Sequence, residues 1–380
     1  MERVKVIEYI SSLGDGGAET LVKDYVRLID RERFEPIIVI LNGGGTSANR
    51  RILEESQIPI IELLPQWNIF VRIWKKLFGW WYIPHRLRKI IREESAHVLH
   101  MHLIVLKDVP RIGKALKGVR LFFTCHSKPE IVFSKNLEVE RKAAEQLIRN
   151  DNMQLIALHR EMAAELNEMF GVKNTSVIRN GVDFSRFKSV LVNKSEKRRE
   201  LCIPSDAFVV GHVGSFKEAK NHKFLVEVFA EIAQRRDDAF LLMVGAGDTI
   251  DTEKRLADTE QKLRDYGLAD RYAILSHRGD VNEIMQVMDV FVFPSIYEGL
   301  GIALIEAQVS GLRCIASDVI PKEAFRSENA IALPLKDPAS WATTALDTTV
   351  KGCPYGALNE YDINEEIKRL EKLYLGELLS

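Results

Sequence analysis

Two glutamates flank a pair of glycines in Phe291-Val-Phe-Pro294-Ser295-Ile-Tyr-Glu298-Gly299-Leu300-Gly301-Ile-Ala-Leu-Ile-Glu306, with seven residues between them. A buried strand followed by a Pro-Ser turn, then glycines and an apolar run, predicts a helix starting near Gly301. Glu298 would lie at its mouth beside free backbone amides, and Glu306 about a turn and a half further along. Carboxylates so placed accept paired hydrogen bonds from neighbouring hydroxyls, as a sugar or ribose offers. A second strand exit, Val213-Gly214-Ser215-Phe216-Lys217-Glu218-Ala219-Lys220, enters another helix. An ammonium group near a helix start adds its point charge to the amide dipoles and can hold a diphosphate, which singles out Lys220. Taken alone, a lysine here is an ordinary surface residue. Gly245 follows the next strand, where the lack of a side chain lets a ligand approach the backbone. Gly16 and Gly17 leave the first strand in the same way, although a plain tight turn accounts for them equally well. Their spacing is not GxGxxG, which argues against a dinucleotide enzyme.

These residues need strands to carry them. Short apolar runs recur through the first half: Val4–Ile10, Pro36–Leu41, His97–Met101, Leu121–Thr124 and Gln154–Leu158. Being apolar on both alternating faces, they read as parallel strands covered by helices on either side. A charged segment, Asn193 to Glu200, interrupts the pattern and reads as a linker. The series resumes at Phe208–Val213, Phe240–Val244, Tyr272–Leu275, Asp289–Phe293, Arg313–Ser317 and Ala330–Leu333, predicting a second doubly wound sheet. Charged and apolar residues at helical spacing over Asn364–Leu379 predict a terminal helix. The expected domains are 1–188, 189–355, and a C-terminal segment 356–380 packing back on the first. Open parallel sheets bind ligands at the carboxyl ends of their strands, so two of them would share a cleft.

Bulk properties fit this reading. A chain of 380 residues, 46% hydrophobic and 28% charged, has the length and composition for two globular domains. A net charge of −1 gives no overall attraction to nucleic acid. Four scattered cysteines form neither a disulfide framework nor a zinc knuckle, and no signal-type segment opens the sequence, so a cytoplasmic protein is expected. With no Asp-x-Asp pair, and with histidines and acids lacking metal-site spacing, no metal or other cofactor is expected.

Taken together these motifs resemble glycosyltransferase family 4, the group 1 glycosyl transferases. Gly16-Gly17-Ala18-Glu19 is similar to its N-terminal loop, Asn180-Gly181-Val182-Asp183 to its interdomain signature, and Glu298 to Glu306 to its paired-glutamate motif. The run Ser317-Asp318-Val319-Ile320 is most similar to capsule and exopolysaccharide members. The resemblance implies a GT-B fold, two Rossmann-like domains facing across a cleft. It also implies a nucleotide diphosphate sugar as donor, UDP favoured over GDP. By the same resemblance Glu298 meets donor-sugar hydroxyls, Glu306 meets the ribose, and Lys220 with the amides of Gly299, Leu300 and Gly301 holds the diphosphate. The loop containing Arg278 and Val281 lies beside the base, and His126 near the transferred sugar.

One position departs from the family. An arginine usually follows the glycine of the phosphate loop, and here Ser215 stands there; Lys217 in the same loop is a candidate substitute. The missing arginine keeps open a catalytically silent sugar-nucleotide-binding subunit, and another GT-B activity such as a nucleotide-sugar epimerase is a further alternative. The implied mechanism retains anomeric configuration, with the departing phosphate taking the acceptor proton and no protein nucleophile. Residues 67–92 gather four of the five tryptophans among arginines and lysines. That composition suits peripheral contact with an anionic membrane, hence a lipid-linked or glycan acceptor at its inner face. A core helix with a solvated basic face explains it equally well.

Overall fold

The structure is a computed structural model that describes residues 3–14, 16–65, 68–188, 192–246, 249–347 and 355–377. Two compact units form: Met1–Asn180 with Asn364–Ser380, and Gly181–Ile363. The break falls earlier than 188/189 and the return later than 355/356. Backbone bonds explain the shift: Val182 N–H donates to Tyr361 O at 2.7 Å and Ile363 N–H to Val182 O at 3.1 Å, so both segments belong to the second unit.

In the first unit β1 (Val4–Ile10), β2 (Phe34–Asn42), β3 (Ile60–Leu64), β4 (Val98–His102), β5 (Arg120–Thr124), β6 (Gln154–Ala157) and β7 (Ser176–Val177) make one sheet in the order β3-β2-β1-β4-β5-β6-β7. Every neighbouring pair is parallel. The central strands are buried on both faces, as Val6, Ile7, Tyr9, Val98, Leu99 and Met101 show. The first helix, Gly17–Leu28, turns Leu21, Val22, Tyr25 and Val26 inward as its spacing predicts. The terminal helix, Ile363–Leu375, returns to this unit, where Tyr374 is fully buried and Glu371 accepts the Asp30 amide at 2.8 Å.

In the second unit β8 (Phe208–Val213), β9 (Ala239–Val244), β10 (Tyr272–Leu275), β11 (Val290–Phe293), β12 (Arg313–Ser317) and β13 (Ala330–Leu333) order as β10-β9-β8-β11-β12-β13, again all parallel. Both sheets reverse their winding once, between β1 and β4 and between β8 and β11. Ligands of open α/β sheets collect at that reversal.

The segment read as a linker is instead a helix, Lys194–Glu200, capped by the Asn193 side chain. Two of its charges, Lys197 and Arg198, are buried rather than spread into water. Lys197 donates to Asp280 at 2.6 Å and Glu283 at 2.9 Å, while Arg198 donates to Asp289 at 2.8 Å and to the Val287 carbonyl. Those partners hold it within the second unit.

Candidate functional site

At the reversal in the second unit, β8 and β11 each end in a turn that feeds a helix. Lys220 and Glu298 come from those turns, and Lys220 Nζ donates to Glu298 Oε1 at 2.6 Å. The pair is mostly enclosed, with side-chain exposures of 19% and 13%. Three contacts fix it. Ser295 Oγ–H donates to the same Glu298 oxygen at 2.7 Å, Lys220 Nζ sits 4.7 Å above the centre of the Phe293 ring, and Ile296 N–H donates to Ala219 O at 2.7 Å, tying one turn to the other. Histidines beside the lysine carry no positive charge. Burial holds His212 down to about 4 and His222 well below its ordinary range.

Glycine is required around this pair for space and for conformation. A Cβ on Gly214 would come within 3.0 Å of the Lys220 stem, and one on Gly245 within 2.1 Å of the Gly214 carbonyl oxygen, so the exits of β8 and β9 touch backbone to backbone. Gly301 has φ +86° and caps the helix Ile302–Val309, a left-handed position where a side chain is strained. Leu304 N–H is bonded to Gly301 O, so the amides ahead of it belong to the open first turn of that helix. Gly299 and Leu300 are buried in this approach, and Glu306 is half-buried on the helix itself.

Ser215 is half-buried in the turn after β8 and Lys217 is exposed there. Arg278 donates to Asp280 at 2.7 Å and to Glu200 at 3.1 Å, so its charge is engaged inside the second unit. Val281 opens the short helix Val281–Met285 that follows. In the first unit Gly16 caps the helix that Gly17 begins, with φ −76°, so its backbone is one that any residue adopts.

His126 follows β5 and ends a buried polar chain that sequence reasoning missed. Register places Glu8 opposite His100 and Ile10 opposite His102, and His102 opposite Thr124. Since alternate residues share a face, Glu8, His100, His102 and Thr124 lie on one side of the sheet. His102 Nε2 meets Glu8 Oε2 at 2.7 Å and its Nδ1 meets His126 Nε2 at 2.9 Å. Tyr374 hydroxyl bonds Glu8 Oε1 at 2.8 Å and His100 Nδ1 at 2.6 Å, and His100 Nε2 meets Thr124 Oγ1 at 2.7 Å. His126 Nδ1 is buried with no hydrogen-bond partner among the described residues. Burial pushes Glu8 up to about 8 and holds His102 down to about 3. The reading that no histidines and acids share metal-type spacing overlooked this group, because Glu8, His100 and His102 converge within 4.8 Å only across strands. Both ring nitrogens of His100 and of His102 are already hydrogen-bonded, which makes the set a proton-bearing network. The sequence signal was there: a glutamate and a His-x-His inside otherwise apolar central strands.

In the first unit, the helix Ile69–Glu93 exposes Ile69, Phe70, Ile73, Leu77, Phe78, Trp80 and Trp81, each more than half accessible, beside exposed Arg72 and Lys76. Its other face packs inward through Val71, Ile83, Leu87, Ile90 and Ile91. Trp67 lies outside the described residues. No described helix is long and apolar enough to cross a membrane.

Known proteins match along most of the chain. Residues 15–186 match the model for Glycosyltransferase Family 4 and residues 207–349 that for Glycosyl transferases group 1. The putative glycosyltransferase EpsF of Bacillus subtilis (strain 168) is 26% identical over 364 residues, which is 92% of this chain and 89% of that protein. The Escherichia coli UDP-Gal:alpha-D-GlcNAc-diphosphoundecaprenol alpha-1,3-galactosyltransferase is 26% identical over 308 residues, covering 76% and 78%. Among solved structures, Anabaena HepE in complex with UDP-glucose has a TM-score of 0.80 at 19% identity, covering 98% of this chain and 100% of that one, which establishes a shared fold.

Proposed function

The chain belongs to glycosyltransferase family 4, the group 1 glycosyl transferases with the GT-B fold, and from that membership we propose a retaining transfer of a sugar from a UDP-sugar to an acceptor hydroxyl. The observation that carries the reading is the Lys220–Glu298 pair at the β8/β11 reversal. An enclosed ammonium group beside open helix amides suits a diphosphate, and a carboxylate one bond away suits the hydroxyls of the sugar attached to it. UDP as carrier is supported by the donors of the relatives, UDP-Gal for the galactosyltransferase and UDP-glucose for HepE.

Cleaving the bond from anomeric carbon to phosphate puts extra negative charge on the departing diphosphate. Donors fixed in advance at Lys220 and at Gly299 to Gly301 favour that charge more than they favour the intact donor, the useful kind of binding for rate. The leaving phosphate takes the acceptor proton, and Glu298 binds rather than attacks. Under this reading Glu306 holds the ribose, Arg278 and Val281 border the base, His126 bonds a substrate hydroxyl, and Lys217 supplies the charge absent at Ser215. No metal is needed. The acceptor is a glycan or lipid-linked oligosaccharide of capsule or exopolysaccharide assembly, in keeping with the relatives, and the exposed aromatic and cationic helix face rests on anionic lipid at the membrane's inner face.

Ser215 favours a second reading, a binding subunit without turnover. The deciding experiment incubates the purified chain with UDP-glucose, UDP-galactose and UDP-N-acetylglucosamine and follows UDP release, with and without a chelator. Slow hydrolysis, unchanged by the chelator and abolished by Lys220→Met, is expected. Binding of UDP without any release from any donor would establish the silent subunit instead.

A further inference from the structure

The buried chain in the first unit has no task in the reading above beyond its last member, His126. Its other members are held with unusual completeness for a strand interior: both carboxylate oxygens of Glu8 and both ring nitrogens of His102 are bonded, whereas Nδ1 of His126 has no partner among the described residues. We propose that Glu8 and His102 are positioning residues that set the tautomer of His126, so that its Nδ1 meets a substrate hydroxyl as acceptor or as donor according to where the chain's proton resides. This rests on the assignment of His126 to a substrate contact.

The hydrogens follow from the geometry. With Glu8 ionised, Oε2 accepts from His102 Nε2–H, so His102 Nδ1 is a lone pair and accepts from His126 Nε2–H. His126 Nδ1 then presents a lone pair. With Glu8 protonated on Oε2 every bond reverses: Oε2–H donates to His102 Nε2, His102 Nδ1–H donates to His126 Nε2, and His126 Nδ1 carries the hydrogen. The two states differ by one proton, which enters at His126 Nδ1 and is accommodated at Glu8 after each intervening bond passes one proton along. Both rings are neutral in either state. The second branch is indifferent to the change, since Tyr374 O–H donates to Glu8 Oε1 throughout, accepts from His100 Nδ1–H, and leaves His100 Nε2 to accept from Thr124.

Burial selects these two states over any imidazolium. It holds His102 down to about 3 and His126 well below its ordinary range, with the His102 ring adding to the effect on His126. The same burial lifts Glu8 to about 8, so an excess proton resides on the carboxylate. Titratable groups facing Glu8 are His100 and His102 from β4, Tyr25 from the first helix and Tyr374 from the terminal helix. His100 is held well below its ordinary range and both tyrosines well above theirs by burial, so none of them titrates near pH 8.

The test is nitrogen NMR of the full chain labelled at its histidine rings, from pH 6 to 10 without substrate. His102 and His126 are expected to exchange one neutral tautomer for the other in a single step near pH 8, and Glu8→Gln to remove that step while its thermal unfolding remains cooperative. With a UDP-sugar, the pH profile of kcat in the wild type is expected to share that midpoint and to flatten in Glu8→Gln, with KM for donor changed less than twofold. A ring that becomes imidazolium, or tautomers constant across the range in the wild type, would overturn the proposal. A ring-nitrogen step with identical turnover profiles in both proteins would overturn the contact at His126 alone. Absence of turnover with every donor would sink the transferase reading, and the ring-nitrogen result stands apart from it.

Discussion

Replacing Glu298 with glutamine is expected to strengthen binding of UDP while it weakens turnover. In the free protein the carboxylate is the partner of Lys220, at 2.6 Å. A diphosphate must take the ammonium group from it, so part of the pair's stability is subtracted from the affinity for nucleotide. A hydrogen bond between charged groups contributes about 1.5–3 kcal/mol net, whereas an exposed ion pair contributes about 0–1 kcal/mol. At 19% and 13% exposure this pair falls between them, roughly 1.5 kcal/mol, or about tenfold in affinity. One effect opposes the gain: a released lysine is free to wander. The contact over the Phe293 ring and the stem lying on Gly214 restrain it, and Ser295 Oγ keeps an oxygen acceptor in glutamine. The competing carboxylate therefore dominates. On the sugar side, the charge-assisted bonds to hydroxyls are lost, and kcat/KM should fall about ten- to a hundredfold. Calorimetric titration with UDP, paired with steady-state turnover of a UDP-sugar, separates the two. Weaker UDP binding by Glu298→Gln would refute the argument, because the carboxylate would then be holding Lys220 in place rather than competing for it.

Gly245→Ala puts a Cβ 2.1 Å from the Gly214 carbonyl oxygen, so the exits of β8 and β9 must part; a loss of about 1–3 kcal/mol in urea unfolding is expected, together with weakened UDP binding. Glu8 binds its proton more tightly folded, at about 8, than its ordinary 4.5, so the stability it contributes is present below pH 4.5 and lost as pH rises through 8. Denaturation at stepped pH should show the wild type losing stability across that window, by up to about 1.4 kcal/mol per pH unit, and Glu8→Gln should have a flatter profile. Trp80 and Trp81 are 60% and 57% exposed, and Trp80→Ser with Trp81→Ser is expected to cut co-sedimentation with anionic vesicles at least about tenfold. Neutral vesicles should bind both proteins weakly.

The strands were legible because a parallel sheet buries both faces of its central members, and uninterrupted apolar runs result. Ile60–Leu64 and Ser176–Val177 escaped for the converse reason. The first is half-buried over most of its length and the second is two residues long, so neither writes a strong local pattern. The segment Asn193–Glu200 was misread as a linker because a charge run looks solvated when its partners are distant. Asp280 and Asp289, which hold Lys197 and Arg198, lie more than eighty residues further along.

The same distinction separates the parts of the site. Lys220 and Glu298 could each be singled out from a strand, a turn and a helix in succession, all local features. That they touch could not, since they are 78 positions apart in the chain and only the adjacency of β8 and β11 brings them together. Glu8 and His102 are 94 residues apart and sit within runs whose apolar character concealed them. In both units the pairing occurs where the sheet reverses its winding, which makes neighbours of strands far apart in sequence. A charged side chain at the end of such a strand finds its partner across that reversal, so the relevant sequence signal is an ionisable residue in one central strand matched by a second in another. Read in that way, the glutamate of the first strand and the His-x-His of the fourth become as conspicuous as the glycine-rich turns.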